Sequence, residues 1–143
     1  MHEQFWLIFG QYLHPIPSAD GNKVNWINYK TGVRYINFKM NGGKNSADIF
    51  IEISHPDAQQ RLLYYEQFYA LKKFFDESLE GIWQWEFDVI NGSGKTVSRI
   101  HSQLINVNVL RKKDWPAIIT FLKTGITGID RFWVDYKELF IMM

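Results

Sequence analysis

The sequence contains no cysteine, which excludes a disulfide scaffold, thiolate metal sites and a cysteine nucleophile. No apolar run approaches the roughly 18 residues of a membrane-spanning helix, so no membrane partner is expected. Residues 1–20 lack the basic-then-apolar pattern of a secretory signal, and the expectation is a cytoplasmic protein. The histidines, His2, His14, His55 and His101, include no pair four residues apart, so neither a zinc site nor any other metal or cofactor is expected. There are no internal repeats, no low-complexity tract and no interdomain linker. What remains is 143 residues, read as a single domain over 1–143 and long enough to bury a core unaided.

Aromatic residues are abundant, at 17%, and they mark the organising stretch, residues 47–79. Ile49, Ile51 and Ile53 alternate and so share one face of a strand. Pro56 and Asp57 then open a helix, the proline suiting the first turn and the acid its positive end. Over 58–79, Tyr64, Phe68, Leu71, Phe75 and Leu79 form one stripe, widened by Leu62, Tyr65 and Tyr69. Leu63 and Phe74 fall outside it, which predicts a second packing partner, another helix or another subunit. On these grounds a homodimer is expected.

The remaining elements follow from periodicity and punctuation. Phe5, Phe9, Tyr12 and Leu13 predict a helix over 2–13, ended by Pro15 and Pro17. Strands are predicted over 24–29 and 33–40, joined by a turn at Lys30-Thr31-Gly32 and followed by the central strand. Strands over 82–89 and 97–110 flank the hairpin loop Asn91–Lys95. The last helix, 115 to about 138, opens at Asp114 as N-cap with Pro116 in its first turn. Gly125 and Gly128 inside it each cost roughly 1 kcal/mol relative to alanine, marking a kink or a close approach of another backbone. The predicted fold is α+β: a mostly antiparallel five-stranded sheet in the order α-β-β-β-α-β-β-α, with two long helices packed on it.

Val24 to Gly32, Ile51-Glu52-Ile53, Tyr65-Glu66-Gln67-Phe68, Ser98-Arg99-Ile100 and Asp114-Trp115-Pro116 together resemble the bacterial family called domain of unknown function 4268. The likeness extends over nearly the whole chain. It implies no reaction, cofactor or catalytic residue. The family's occurrence behind restriction-type nuclease segments implies a nucleic-acid setting by association.

The net charge of +1 hides a segregation. Residues 21–47 hold Lys23, Lys30, Arg34, Lys39 and Lys44 and no acid, whereas residues 48–90 hold nine acids and three bases. Lys23, Lys30, Arg34 and Lys39 interleave with Trp26 and Tyr35, a mixture in which cations neutralise phosphate and rings stack on bases. The competing reading turns the rings into the core and leaves the lysines as a solvated rim. Arg111, Lys112 and Lys113 ahead of the last helix are a weaker anion-binding candidate, since Asp114 repels an anion there. Asp48, Glu52, Glu86 and His101 sit at positions that suit acid–base or metal-assisted hydrolysis if they meet in a cleft. Cross-strand salt bridges, such as Glu86 with Arg99, explain the same residues more simply.

The expected function is a noncatalytic binding module associated with nucleic acid or a nucleic-acid-processing partner. One alternative is a divergent metal-dependent nuclease or hydrolase on a restriction-endonuclease-like core. Its Glu-x-Lys is absent here, where the third predicted strand reads Glu52-Ile53-Ser54. Another is a structural protein–protein interaction domain, whose mark would be an exposed apolar patch.

Overall fold

The strand carrying Ile49, Ile51 and Ile53 is central, as its near-continuous apolar character requires. In the computed structural model, which describes residues 2–143, it is β2 (Ser46–Ile53), preceded by β1 (Ile36–Gly42) and followed by β3 (Gln84–Ile90) and β4 (Thr96–Ile105). The four strands form one antiparallel sheet in the order β1-β2-β4-β3. Helices α1 (His2–Leu13), α2 (Ala58–Ala70), α3 (Lys72–Ser78), α4 (Trp115–Tyr136) and α5 (Glu138–Ile141) complete an α+β fold.

Strand pairing sorts the side chains into two faces. Phe38, Ile51, Ile100 and Trp85 form one cross-strand row, with Met40, Ile49 and Ser102 beside it. This face meets α1 through Phe5 and Phe9, α2 and α3 through Phe68 and Phe75, and α4 through Ile118, Leu122, Ile126 and Ile129. The opposite face carries Asn37, Glu52, Arg99 and Glu86 in one row and Lys39, Phe50, His101 and Gln84 in the next.

Gly125 and Gly128 are positions where α4 closely approaches its neighbours. A Cβ on Gly125 would stand 2.8 Å from Ile49 Cδ1, and one on Gly128 would stand 3.0 Å from the Ser78 carbonyl oxygen. Gly128 therefore marks a close backbone, as expected, and Gly125 a close side chain. Phe74, outside the main stripe of its helix, stacks on Tyr136 of α4 at 5.3 Å, so its second partner is a helix of the same chain.

Four expectations need correction. The sheet has four strands, not five, because residues 24–29 form no strand. The segment 14–35 is an irregular strap whose polar groups find side-chain partners instead of a ladder. Trp26 donates to the Ile16 carbonyl, and Trp133 to the Thr31 carbonyl, both at 2.8 Å. Asp130 on α4, only 1% exposed, accepts from the Ser18 hydroxyl and the Ala19 amide at 2.8 Å, and from the Tyr29 hydroxyl. With that strand absent, the α-β-β-β-α-β order behind the restriction-endonuclease-like alternative is absent too.

Second, the 58–79 helix is two helices, with Leu71 at the junction (φ −99°, ψ 11°). Asp57 caps the first, accepting from the Gln60 amide at 3.1 Å. Third, Asp114 makes no side-chain cap to α4; it accepts from the Asn108 amide at 2.9 Å, and a 3-10 turn over Lys112–Asp114 leads into the helix. Fourth, the strand predicted to reach residue 110 stops at Ile105, where Asn106 turns to φ 63°.

Candidate functional site

The sheet brings the predicted acid–base set together on its polar face. His101 is opposite Phe50 on β2 and Gln84 on β3. Its Nε2 lies 2.9 Å from Asp48 Oδ1, and its Nδ1 lies 3.5 Å from Glu86 Oε1. Arg99 Nη2 donates to Glu86 Oε2 at 3.2 Å, the cross-strand pair expected from the sequence. Glu52, almost fully buried, accepts from Lys39 Nζ at 2.8 Å. Phe50 lies beneath, with the Arg99 guanidinium 5.6 Å from its ring and His101 edge-on at 5.8 Å.

Asn91, Gly92 and Ser93 of the β3–β4 hairpin also line this face, enclosing with Lys39, Asn41, Asp48, Glu52, Arg99 and His101 a cleft of about 380 Å³. Its charges are paired, yet two buried atoms of the cluster, Glu86 Oε1 and Arg99 Nε, have no hydrogen-bond partner among the described residues. Of the two His101 nitrogens, Nε2 is bonded to Asp48, while Nδ1 makes no hydrogen bond to Glu86 Oε1 across 3.5 Å. Each carboxylate of the set faces a cation or an imidazole. Among the described residues no three histidine, aspartate or glutamate side chains cluster closely enough to hold a metal ion.

The basic aromatic set is not brought together as a hairpin. Trp26 is 3% exposed and its indole N–H is used on Ile16, so its ring offers no stacking face. Tyr35 is half-buried at φ 70°, with Arg34 4.7 Å over one side and His55 4.6 Å from its ring centre. Lys23, Lys30 and Arg34 are exposed on the strap, while Lys39 belongs to the polar cleft. Before α4, Arg111 lies 4.0 Å from Asp114 and Lys112 sits 5.8 Å over the Trp115 ring, leaving Lys113 exposed.

A second concavity is apolar. Leu62, Tyr65, Tyr69 and Ala70 of α2 and Phe87 of β3, with Glu66 at the lip, line a groove of about 480 Å³. Leu62 is 38%, Tyr69 58% and Phe87 45% exposed, a contiguous apolar patch of the kind that marks contact sites. Tyr65 anchors its floor, 5.2 Å from Phe87 and 5.9 Å from Trp85. Burial, followed by the nearby Tyr69, raises the Tyr65 phenol above its ordinary pKa. The sequence hinted at this surface, since Leu62, Tyr65 and Tyr69 widen the helix stripe beyond one face. Phe87 was hidden, because alternation groups it with Trp83 and Trp85. A register slip between Glu86 and Val89, with Asp88 at φ 47°, sets it at the groove wall. Arg61, buried and bonded to Asp88 and the His55 carbonyl at 2.8 Å each, holds the slip in place.

Comparison with known proteins gives a family and nothing finer. The model of a family described as Domain of unknown function (DUF4268) matches residues 1–137. No curated protein and no solved structure matches the chain.

Proposed function

The chain belongs to the domain of unknown function 4268 family, and from that premise we propose that it is a noncatalytic binding module that docks a protein through the groove between α2 and β3. One observation carries this reading: the apolar side chains of Leu62, Tyr69 and Phe87 are left wet and contiguous, while the polar cleft uses its charges on itself. Aromatic side chains in a shallow pocket supply most of the energy of many protein interfaces. The test is a photo-crosslinking residue placed at Tyr69, with one at Lys113 as control, in living cells. A protein captured only at Tyr69 is then reconstituted with the purified chain. Tyr69→Ser together with Phe87→Ser is expected to weaken that complex at least tenfold. An unchanged affinity of the double variant refutes the reading.

A second reading keeps nucleic acid as the partner, and the Arg34–Tyr35 pair favours it. A guanidinium over a half-exposed ring, with Lys23 and Lys30 exposed on the same strap, provides phosphate contacts beside an aromatic face. The polar sheet face does not add to it, since Lys39 and Arg99 there are outnumbered by Asp48, Glu52 and Glu86. Binding of single-stranded DNA or RNA that weakens with salt, and is lost in Lys30→Ala plus Arg34→Ala, supports this reading. Binding unchanged in that variant removes it.

A further inference from the structure

β3 is an edge strand of the sheet, and an open edge ordinarily accepts another strand. Here its register slips between Glu86 and Val89, Asp88 has a positive φ, and carboxylates flank Phe87 on both sides. That interruption blocks a regular backbone ladder, so a partner must engage through side chains. Along α2, Leu62, Tyr65, Glu66 and Tyr69 stand at i, i+3, i+4 and i+7, one continuous ridge. The ridge is about 10 Å long at 1.5 Å per residue, room for two turns of a partner helix. Ala70 leaves space at its end, and Phe87 forms the opposite wall.

The charges beside the groove are unbalanced. Arg61 is bonded to Asp88, Lys72 to Asp76, and Glu86 to Arg99. Of the residues that line the groove only Glu66 is charged, and among the described residues it has no ion-pair partner. Resting on the protein-docking reading of this groove, we infer that its occupant is an amphipathic helix with basic flanks. A second copy of this chain fits less well. Its most exposed apolar helix, α1 with Leu7, Ile8 and Tyr12, carries Glu3 and no lysine or arginine.

The probes are three synthetic peptides of roughly 18 residues, long enough to hold helix on binding. One carries leucines at helical spacing with lysine flanks. The second has the same leucines with glutamate flanks. The third has the lysine flanks with serine in place of leucine. In fluorescence anisotropy the lysine–leucine peptide is expected to bind at least tenfold more tightly than the glutamate–leucine peptide. Glu66→Lys should narrow that ratio, and Tyr69→Ser plus Phe87→Ser should abolish binding with the circular dichroism spectrum unchanged. Equal binding of the two leucine peptides, still dependent on Tyr69 and Phe87, overturns the basic-helix inference and leaves the docking groove standing. No binding of either leucine peptide, or binding indifferent to Tyr69 and Phe87, overturns both. Equally tight binding of the serine peptide also overturns both, because charge alone then explains it. Sedimentation at micromolar concentration is expected to show a 17.0 kDa species; a dimer broken by Tyr69→Ser makes a second copy the occupant and overturns the inference.

Discussion

Replacing Asp130 with alanine is expected to destabilise the protein by about 3–5 kcal/mol and to free the strap first. The carboxylate is buried and accepts three hydrogen bonds, from the Ser18 hydroxyl, the Ala19 amide and the Tyr29 hydroxyl. Bonds to a charged group contribute about 1.5–3 kcal/mol each, and removing their shared acceptor strands several donors at once. The three do not add fully, because they share one acceptor and one segment. Ser18→Ala removes one donor while two remain, and should cost only about 1 kcal/mol. Urea unfolding followed by tryptophan fluorescence measures both. Limited trypsin digestion reads the local consequence, since Lys23 and Lys30 lie exposed on the strap. Cleavage there should accelerate in Asp130→Asn, which keeps the shape and loses the charge, before the sheet unfolds. A loss below about 1 kcal/mol for Asp130→Ala, with Lys23 and Lys30 as resistant as before, would refute the claim that this carboxylate replaces a strand ladder.

Tyr29 ties the same anchor to pH. Burial, then its bond to Asp130, raises its phenol far above the ordinary value near 10. The folded state therefore holds this proton more tightly than the unfolded state. The stability it contributes is full below pH about 10 and declines as pH rises beyond that, so the advantage of wild type over Tyr29→Phe should shrink in unfolding curves taken above pH about 10. Gly128→Ala should cost about 1–3 kcal/mol despite the helix propensity gained, because its Cβ meets the Ser78 carbonyl oxygen and Leu79 at 3.0 Å. Gly125→Ala should also destabilise, since Ile49 Cδ1 at 2.8 Å can turn aside but its Cγ2 at 3.1 Å, branched at Cβ, cannot; thermal unfolding measures both, and an unchanged or raised Tm in either would contradict the packing described. Glu52→Ala should leave Lys39 to solvent at a cost of about 1 kcal/mol or less, as for an ion pair with one exposed partner, checked by urea unfolding.

Elements whose information is local were legible in the chain itself. The alternation of Ile49, Ile51 and Ile53 identified the central strand, and the spacing of Phe5, Phe9 and Leu13 identified α1. Asp57 announced the start of α2, and Pro116 in the first turn announced the start of α4. Residues 24–29 misled because Val24, Trp26, Ile27 and Tyr29 have strand-like composition, and β propensity reports only a fit to a half-buried surface. Whether such a segment joins a ladder depends on the groups it meets. Here they are Asp130, more than a hundred residues away along the chain, for Tyr29, and the Ile16 carbonyl for Trp26.

The candidate sites divide the same way. The shared face of Glu86, Arg99 and His101 followed from strand parity, and the sheet register then brought Asp48 to His101. Which of these charges pair, and that Glu86 Oε1 and Arg99 Nε stay without a hydrogen bond, could not be read from spacing, because it depends on side-chain geometry across three strands. The exposure of Phe87 was equally invisible, since it arises from a slipped register held by Arg61, a long-range contact. Alone, the amino-acid order determined which residues are apolar, how they repeat and where turns fall, since these follow from local sterics and hydrophobicity. Tertiary structure decided which of those apolar residues found a partner and which were left facing water, because burial is a competition among all surfaces of the chain for a limited interior.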